Sequence, residues 1–90
     1  MRDLEQTRKE IEDIDKQMAE LFNRRMACSA EVAEYKKLNG LPILDKDREK
    51  ALLERNEEYI GNVDLKPYYR QFLQSVLDIS KQYQHMLSEN

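Results

Sequence analysis

From Asp3 to Lys37 the chain runs for ~35 residues without a Gly or a Pro. Apolar residues recur there at Leu4, Ile11, Ile14, Met18, Leu21, Cys28, Val32 and Tyr35. Steps of three, four and seven are the helical period, so the stretch predicts one long amphipathic helix. The stripe has one gap. Between Leu21 and Cys28 its place is held by Arg25, a cation where packing calls for an apolar residue. A charge on a buried face is costly unless something pairs with it. Either a carboxylate of the fold meets Arg25, Glu49 being one choice, or an anionic ligand does.

Two further cations belong to the same helix. Lys36 follows Arg25 by three turns plus ~20°, so both point the same way, ~16 Å apart along the axis. Ser29 and Val32 fill the face between them. Two long side chains can narrow that gap around a small molecule. Arg8 precedes Arg25 by ~25 Å along the axis and ~100° around it. On a straight helix it cannot share a small ligand with Arg25 of its own chain, and would do so only across a dimer.

Ninety residues allow one domain, read here as spanning 1–90. A charged fraction of 37% with two Gly and two Pro favours helices, and no stretch alternates with period two. The first helix would be ~50 Å long, whereas a compact monomer of this size is ~25 Å across. A helix that overshoots its own domain needs another chain to cover its stripe, so a homodimer is expected. The net charge of −3 and the absence of a basic block argue against nucleic acid. Small anions are compatible, because a few cations aimed into one cleft set the local field. The single cysteine, Cys28, leaves no intrachain disulfide and fits a reducing compartment. Without an apolar leader or a membrane-length run, a cytoplasmic protein is expected.

The first helix should stop near Leu38, where Asn39-Gly40 and then Pro42 interrupt it. Leu41 to Leu44 reads as an apolar connector. Asp45 is a natural N-cap for a second helix, with Asp47 and Glu49 in its positive first turn. That helix runs to about Tyr59 or Ile60 and ends at Gly61-Asn62. Asp64 is the candidate N-cap of a third helix of ~24 residues, with Pro67 in its first turn. The third helix carries two stripes, a wide face suited to burial. One is Leu65, Tyr69, Phe72, Val76, Ile79, Tyr83 and Met86. The other is Leu73, Leu77, Ser80, Gln84 and Leu87, where Ser80 and Gln84 put polar groups in places packing would give to Leu.

The inward polar residues are therefore Arg25, Lys36, Arg48, Glu49, Ser80 and Gln84, with Arg8 from a partner. Guanidinium dominates, a rigid fork that binds carboxylates in bidentate fashion. His85 is the only histidine and lies near the free end, so no Ser–His or Cys–His nucleophile can be built. No metal-ligand cluster and no Gly-rich phosphate loop is present. The set suits a small polycarboxylate held without covalent, metal or cofactor chemistry. Plain structural readings stand beside this one. Lys36 could simply oppose a helix dipole. Arg48 and Glu49 could be surface charges, and Ser80 could bond back to its own helix. Asp45 is an N-cap either way. Cys28 reads as a small buried hydrophobe, His85 as solvated, and Met18, Phe22 and Met26 as core.

The joint pattern matches a family. Arg8, Ile11, Ile14-Asp15, Leu21, Arg25 and Lys36, then Leu41-Pro42-Ile43, Asp45 and Asp47-Arg48-Glu49, then Ser80 and Gln84, resemble the all-helical chorismate mutases of the AroQ class. The likeness covers nearly the whole chain, with order and spacing intact. It implies an all-α fold of three helices per chain in an intertwined homodimer. Each of two active sites would take one Arg from the other chain. The implied reaction is the Claisen rearrangement of chorismate to prephenate, on the route to Phe and Tyr. By the same resemblance, Arg25 and the partner copy's Arg8 hold the substrate carboxylates. Lys36 and Gln84 donate to the ether oxygen of the breaking bond. Glu49 accepts from the ring hydroxyl, the Asp45 segment adds a hydrogen bond there, and Arg48 and Ser80 complete the wall around a carboxylate.

Two rival functions stand beside it. An isochorismate-pyruvate lyase shares the fold and a similar cationic site. A non-catalytic helical dimerisation module would need none of the polar residues, and replacing Arg25 or Gln84 by Leu would then stabilise it without loss.

Overall fold

The computed structural model describes residues 2–89. Three helices follow one another among them: α1 (Leu4–Leu38), α2 (Lys46–Ile60) and α3 (Lys66–Ser88). The expected all-α architecture is the one observed.

Local chemistry accounts for the boundaries. Asp3 caps α1, accepting from the Gln6 N–H at 2.9 Å, while the Gln6 side chain accepts from the Asp3 N–H at 3.1 Å. This reciprocal capping box satisfies two otherwise orphaned donors. At the other end Gly40 adopts φ +64°. The Leu41 N–H then reaches the Lys36 carbonyl at 2.8 Å, and the Gly40 N–H reaches that of Lys37 at 3.4 Å. This pair of bonds is a Schellman closure, and it needs the left-handed residue that Gly supplies. Asp45 caps α2 as expected, its Oδ1 accepting from the Arg48 N–H at 3.1 Å. Gly61, at φ +67°, closes that helix.

The start of α3 differs from expectation. Leu65, not Asp64, is the N-cap, and no side chain caps it. The Asn62 Oδ1 takes the Asp64 N–H at 3.0 Å, and the Leu65 N–H bonds to the Asn62 carbonyl at 3.1 Å. Asn62 thus folds the chain into a side-chain-stabilised turn that ends one residue beyond Asp64. Pro67 sits in the first turn as the sequence requires.

The third helix packs against both of the others. Leu53 of α2 meets Leu73 and Leu77 of α3 in the core, flanked by Leu52, Tyr69 and Val76. Where α1 crosses α3 the buried α1 residues are small, Ser29 and Ala33, which lets the backbones approach. Of the two α3 stripes, the one bearing Ser80 and Gln84 is buried from Leu73 to Gln84 and half-buried at Leu87. The other is half-buried at Tyr69, Val76 and Tyr83 and exposed at Leu65, Phe72, Ile79 and Met86.

Two expectations of burial are corrected within one chain, that for Met18, Phe22 and Met26 and that for Cys28. Met18 and Phe22 are exposed, at 45% and 43%, because α3 meets α1 only along its C-terminal half; Met26 alone of that trio is half-buried. Cys28 is exposed, since it turns to the side of Ser29 that does not face α3. The stripe from Leu4 through Ile11, Ile14 and Leu21 is likewise uncovered, at 46–65% exposure. The extents of 55 × 27 × 15 Å reflect a long helix that outruns the α2–α3 pair. The radius of gyration is 16.3 Å, against ~12 Å for a compact domain of this length. No helix among the described residues is long and apolar enough to cross a membrane.

Candidate functional site

One cleft, of ≈ 370 Å³, opens where the C-terminal half of α1, the connector, the first turns of α2 and the last turns of α3 meet. That volume suits a small molecule and little more. Arg25, Ser29, Val32 and Lys36 line it from α1. Asp45, Arg48 and Glu49 line it from the start of α2, and Ser80, Lys81 and Gln84 from α3. Apolar wall is supplied by Ile43, Leu52 and Leu77, with Cys28 at the edge. Seven of the eight residues singled out from the sequence therefore converge. Arg8 does not: it lies exposed on the N-terminal part of α1, ~25 Å along the helix from Arg25.

Arg25, Lys36, Asp45, Glu49, Ser80, Lys81 and Gln84 on the wall are each held by a specific partner. The Arg25 Nη1 donates to the Ser80 Oγ at 2.6 Å. The Ser80 hydroxyl donates in turn toward the Met26 sulfur at 3.8 Å, so it bonds across helices and not back to its own. Among the described residues no carboxylate lies within ion-pair reach of Arg25. The internal salt bridge with Glu49, one of the two explanations for a cation in the stripe, is not made. Glu49 instead pairs with Lys81 at 2.9 Å.

Lys36 and Gln84 are each anchored by one bond. The Lys36 Nζ donates to the Ile43 carbonyl at 2.7 Å. The Schellman closure and Pro42 bring that carbonyl back over the end of α1. The Gln84 Nε2 donates to the Ser29 carbonyl at 3.1 Å, from a side chain only 8% exposed as a residue. An ammonium has three N–H groups and an amide nitrogen two. Both residues are therefore fixed in place with donor capacity left over.

Asp45 serves as N-cap and cleft wall at once. The backbone N–H groups of the first turn of α2 add positive potential on the same side. Within one chain the wall carries four cations, Arg25, Lys36, Arg48 and Lys81, against the carboxylates of Asp45 and Glu49. The surplus is two positive charges, on a chain whose total is −3. The cleft is thus electrostatically set apart from the rest of the surface and matched to a dianion.

Lys81 is absent from the residues read off the sequence. Its ammonium is held above the usual lysine range by the hydrogen bond with Glu49, burial opposing, with Coulombic attraction to Glu49 and Asp78 adding to the rise. A sequence signal existed: Lys81 lies three residues before Gln84 and beside Ser80, on the inward edge of α3.

Comparison with known proteins bears on this arrangement. Residues 7–85 match the family described as chorismate mutase type II. Over 89 residues the chain is 32% identical to a bifunctional chorismate mutase/prephenate dehydratase of Aquifex aeolicus, covering 90% of this chain and 25% of that one. Over 52 residues it is 38% identical to a chorismate mutase of Methanocaldococcus jannaschii, covering 58% of this chain and 52% of that one. The chain thus spans about a quarter and about half of the lengths of these curated relatives. No solved structure matches. The match takes in α1 from its second turn, all of α2 and α3 to beyond Gln84, and so contains every residue of the cleft: the chain belongs to the chorismate mutase type II family.

Proposed function

We propose that this chain is a chorismate mutase, converting chorismate to prephenate in the cytoplasm as part of Phe and Tyr synthesis. It works as a homodimer whose two sites each borrow Arg8 from the other copy. The observation that carries the reading is the convergence of Arg25, Lys36 and Gln84 on one small cleft, each held by a bond that leaves donors to spare.

The reaction is intramolecular. One C–O bond breaks and one C–C bond forms within a single molecule, with no proton, nucleophile or electron carrier entering the balance. Two tasks are left to the protein. The first is to hold the enolpyruvyl arm over the ring, a reactive but poorly populated shape. Arg25 takes one substrate carboxylate and the partner copy's Arg8 meets the other, while Arg48 and Ser80 close the wall. Glu49 accepts from the ring hydroxyl beside the Asp45 segment. The second task is to meet the ether oxygen as it gains negative charge. Lys36 and Gln84 do this with donors already oriented before the substrate arrives, the form of stabilisation that is strongest when no reorganisation is needed.

The dimer is supported by the uncovered α1 stripe and by the elongation of the single chain. The cytoplasmic setting is supported by a lone cysteine that stands exposed.

The test is to mix purified protein with chorismate in metal-free buffer and identify the product. Formation of prephenate without additions is the expected result. Turnover of isochorismate alone would assign the lyase reaction instead. No turnover of either would leave a helical module without catalysis.

A further inference from the structure

We infer that Lys81 is a positioning residue: braced between Asp78 and Glu49, it fixes the Glu49 carboxylate in the cleft wall as the acceptor for the substrate's ring hydroxyl. The inference rests on the chorismate mutase reading and deepens it, because it assigns discrimination for that hydroxyl to a residue outside the expected set.

The geometry is that of a brace. The Lys81 Nζ lies 2.9 Å from one Glu49 carboxylate oxygen and 3.4 Å from the other. It also lies 3.6 Å from the Asp78 Oδ1, one turn back on the same helix. The Glu49 side chain is 18% exposed and that of Lys81 27%, whereas Asp78 is 53% exposed, so the brace runs inward from the surface. A carboxylate has about four lone-pair directions. One ammonium uses only part of that capacity, so Glu49, which lines the cleft, keeps acceptor capacity for a hydroxyl.

Stability alone gives little reason for this pair. Partly exposed ion pairs contribute little to stability. Choice of partner is the more informative fact. Arg25, Lys36 and Arg48 line the same cleft, and a loose Glu49 would be drawn to one of them. Pairing with Lys81, from the α3 side, keeps that carboxylate from neutralising a cation needed for the substrate. The raised affinity of Lys81 for its proton keeps the brace charged through the neutral range.

The experiment compares chorismate with its analogue lacking the ring hydroxyl, well below the melting temperature. Five proteins are needed: wild type, Lys81→Met, Lys81→Arg, Glu49→Gln and the Lys81→Met/Glu49→Gln double variant, each checked for folding by circular dichroism. The ratio of kcat/KM for the two substrates is read in each. Loss of one well-placed hydrogen bond should lower this ratio about tenfold in Lys81→Met. The double variant should fall no lower than Glu49→Gln, because Lys81 acts through Glu49. A structural role alone would reduce both substrates equally and leave the ratio unchanged, which would overturn the assignment. Were the wild type inactive on chorismate, the functional reading would fail and the role of Lys81 with it. That result differs from an active wild type whose ratio ignores Lys81. Lys81→Arg, which keeps the charge, should recover most of the discrimination.

Discussion

Gln84 shows how much one side chain determines. Its amide is buried on a face where Leu would pack, and one N–H is committed to the Ser29 carbonyl. A Gln donates at every pH, so the wild type should show no rise in rate as pH falls through ~5. In the role proposed for this position, Gln84→Glu would donate to the ether oxygen only when protonated. Its rate at neutral pH should drop by roughly 10²–10³ and climb toward acid. Rate profiles of the two proteins between pH 4 and 8 check this. Gln84→Leu removes the donor altogether and should lose activity to the same degree, with thermal stability retained. That outcome separates a catalytic amide from a module in which the polar groups have no task. At the same scale Lys81 makes a stability prediction. Its folded-state proton affinity is raised above the ordinary lysine value of 10.5. The stabilisation is therefore complete below that value and is lost as pH rises through the higher folded one. The difference in melting temperature between wild type and Lys81→Met should hold constant at neutral pH and shrink only as pH rises past the ordinary lysine value.

Elements were more legible in this sequence than their surroundings. The ends of α1 and α2 follow from Asn39-Gly40, Asp45 and Gly61, residues whose local chemistry leaves few alternatives. The start of α3 was less legible because two side chains compete for one turn, and Asn62 forms it before Asp64 can act as a cap. Burial was the least legible. Periodicity tells which residues share a face, not which neighbour that face meets, so Met18, Phe22 and Cys28 read as core although α3 covers only the far half of α1. The cleft was visible because polar residues broke apolar stripes, at Arg25, Ser80 and Gln84. Lys81 broke no stripe and was missed. The Schellman closure gives a prediction at this scale. Gly40 holds φ +64° with nothing within 4 Å of where a Cβ would stand, so Gly40→Ala meets no clash and only backbone strain. The cost should be about 1–2 kcal/mol, read as a lower melting temperature. Because Leu41 to Ile43 carry the carbonyl that anchors Lys36, kcat should fall as well, beyond what the loss of folded protein explains.

The whole molecule is arranged around what one chain leaves undone. A 35-residue helix sets the long dimension of 55 Å and presents Leu4, Ile11, Ile14, Met18 and Leu21 to no neighbour in its own fold. On that same bare half sits Arg8, too far along the axis to reach the cleft of its own chain. The two-fold pairing of α1 with its copy that we propose would address both facts, each stripe covering the other and each Arg8 being carried toward the opposite cleft. The separation of Arg8 from Arg25 makes the pairing testable by activity. Arg8→Ala and Arg25→Ala should each be inactive alone, since every site then lacks one cation. Mixed after unfolding and refolding, the two chains form hybrids in which one site has Arg25 from the first and Arg8 from the second, while the other site has neither. With random pairing half the dimers are hybrids, each with one good site of two, so about a quarter of wild-type activity should return. A site built within one chain would return none. Leu21→Glu places a charge in the stripe away from the cleft; it should shift sedimentation toward the monomer and abolish activity together, because separating the chains removes Arg8 from every site.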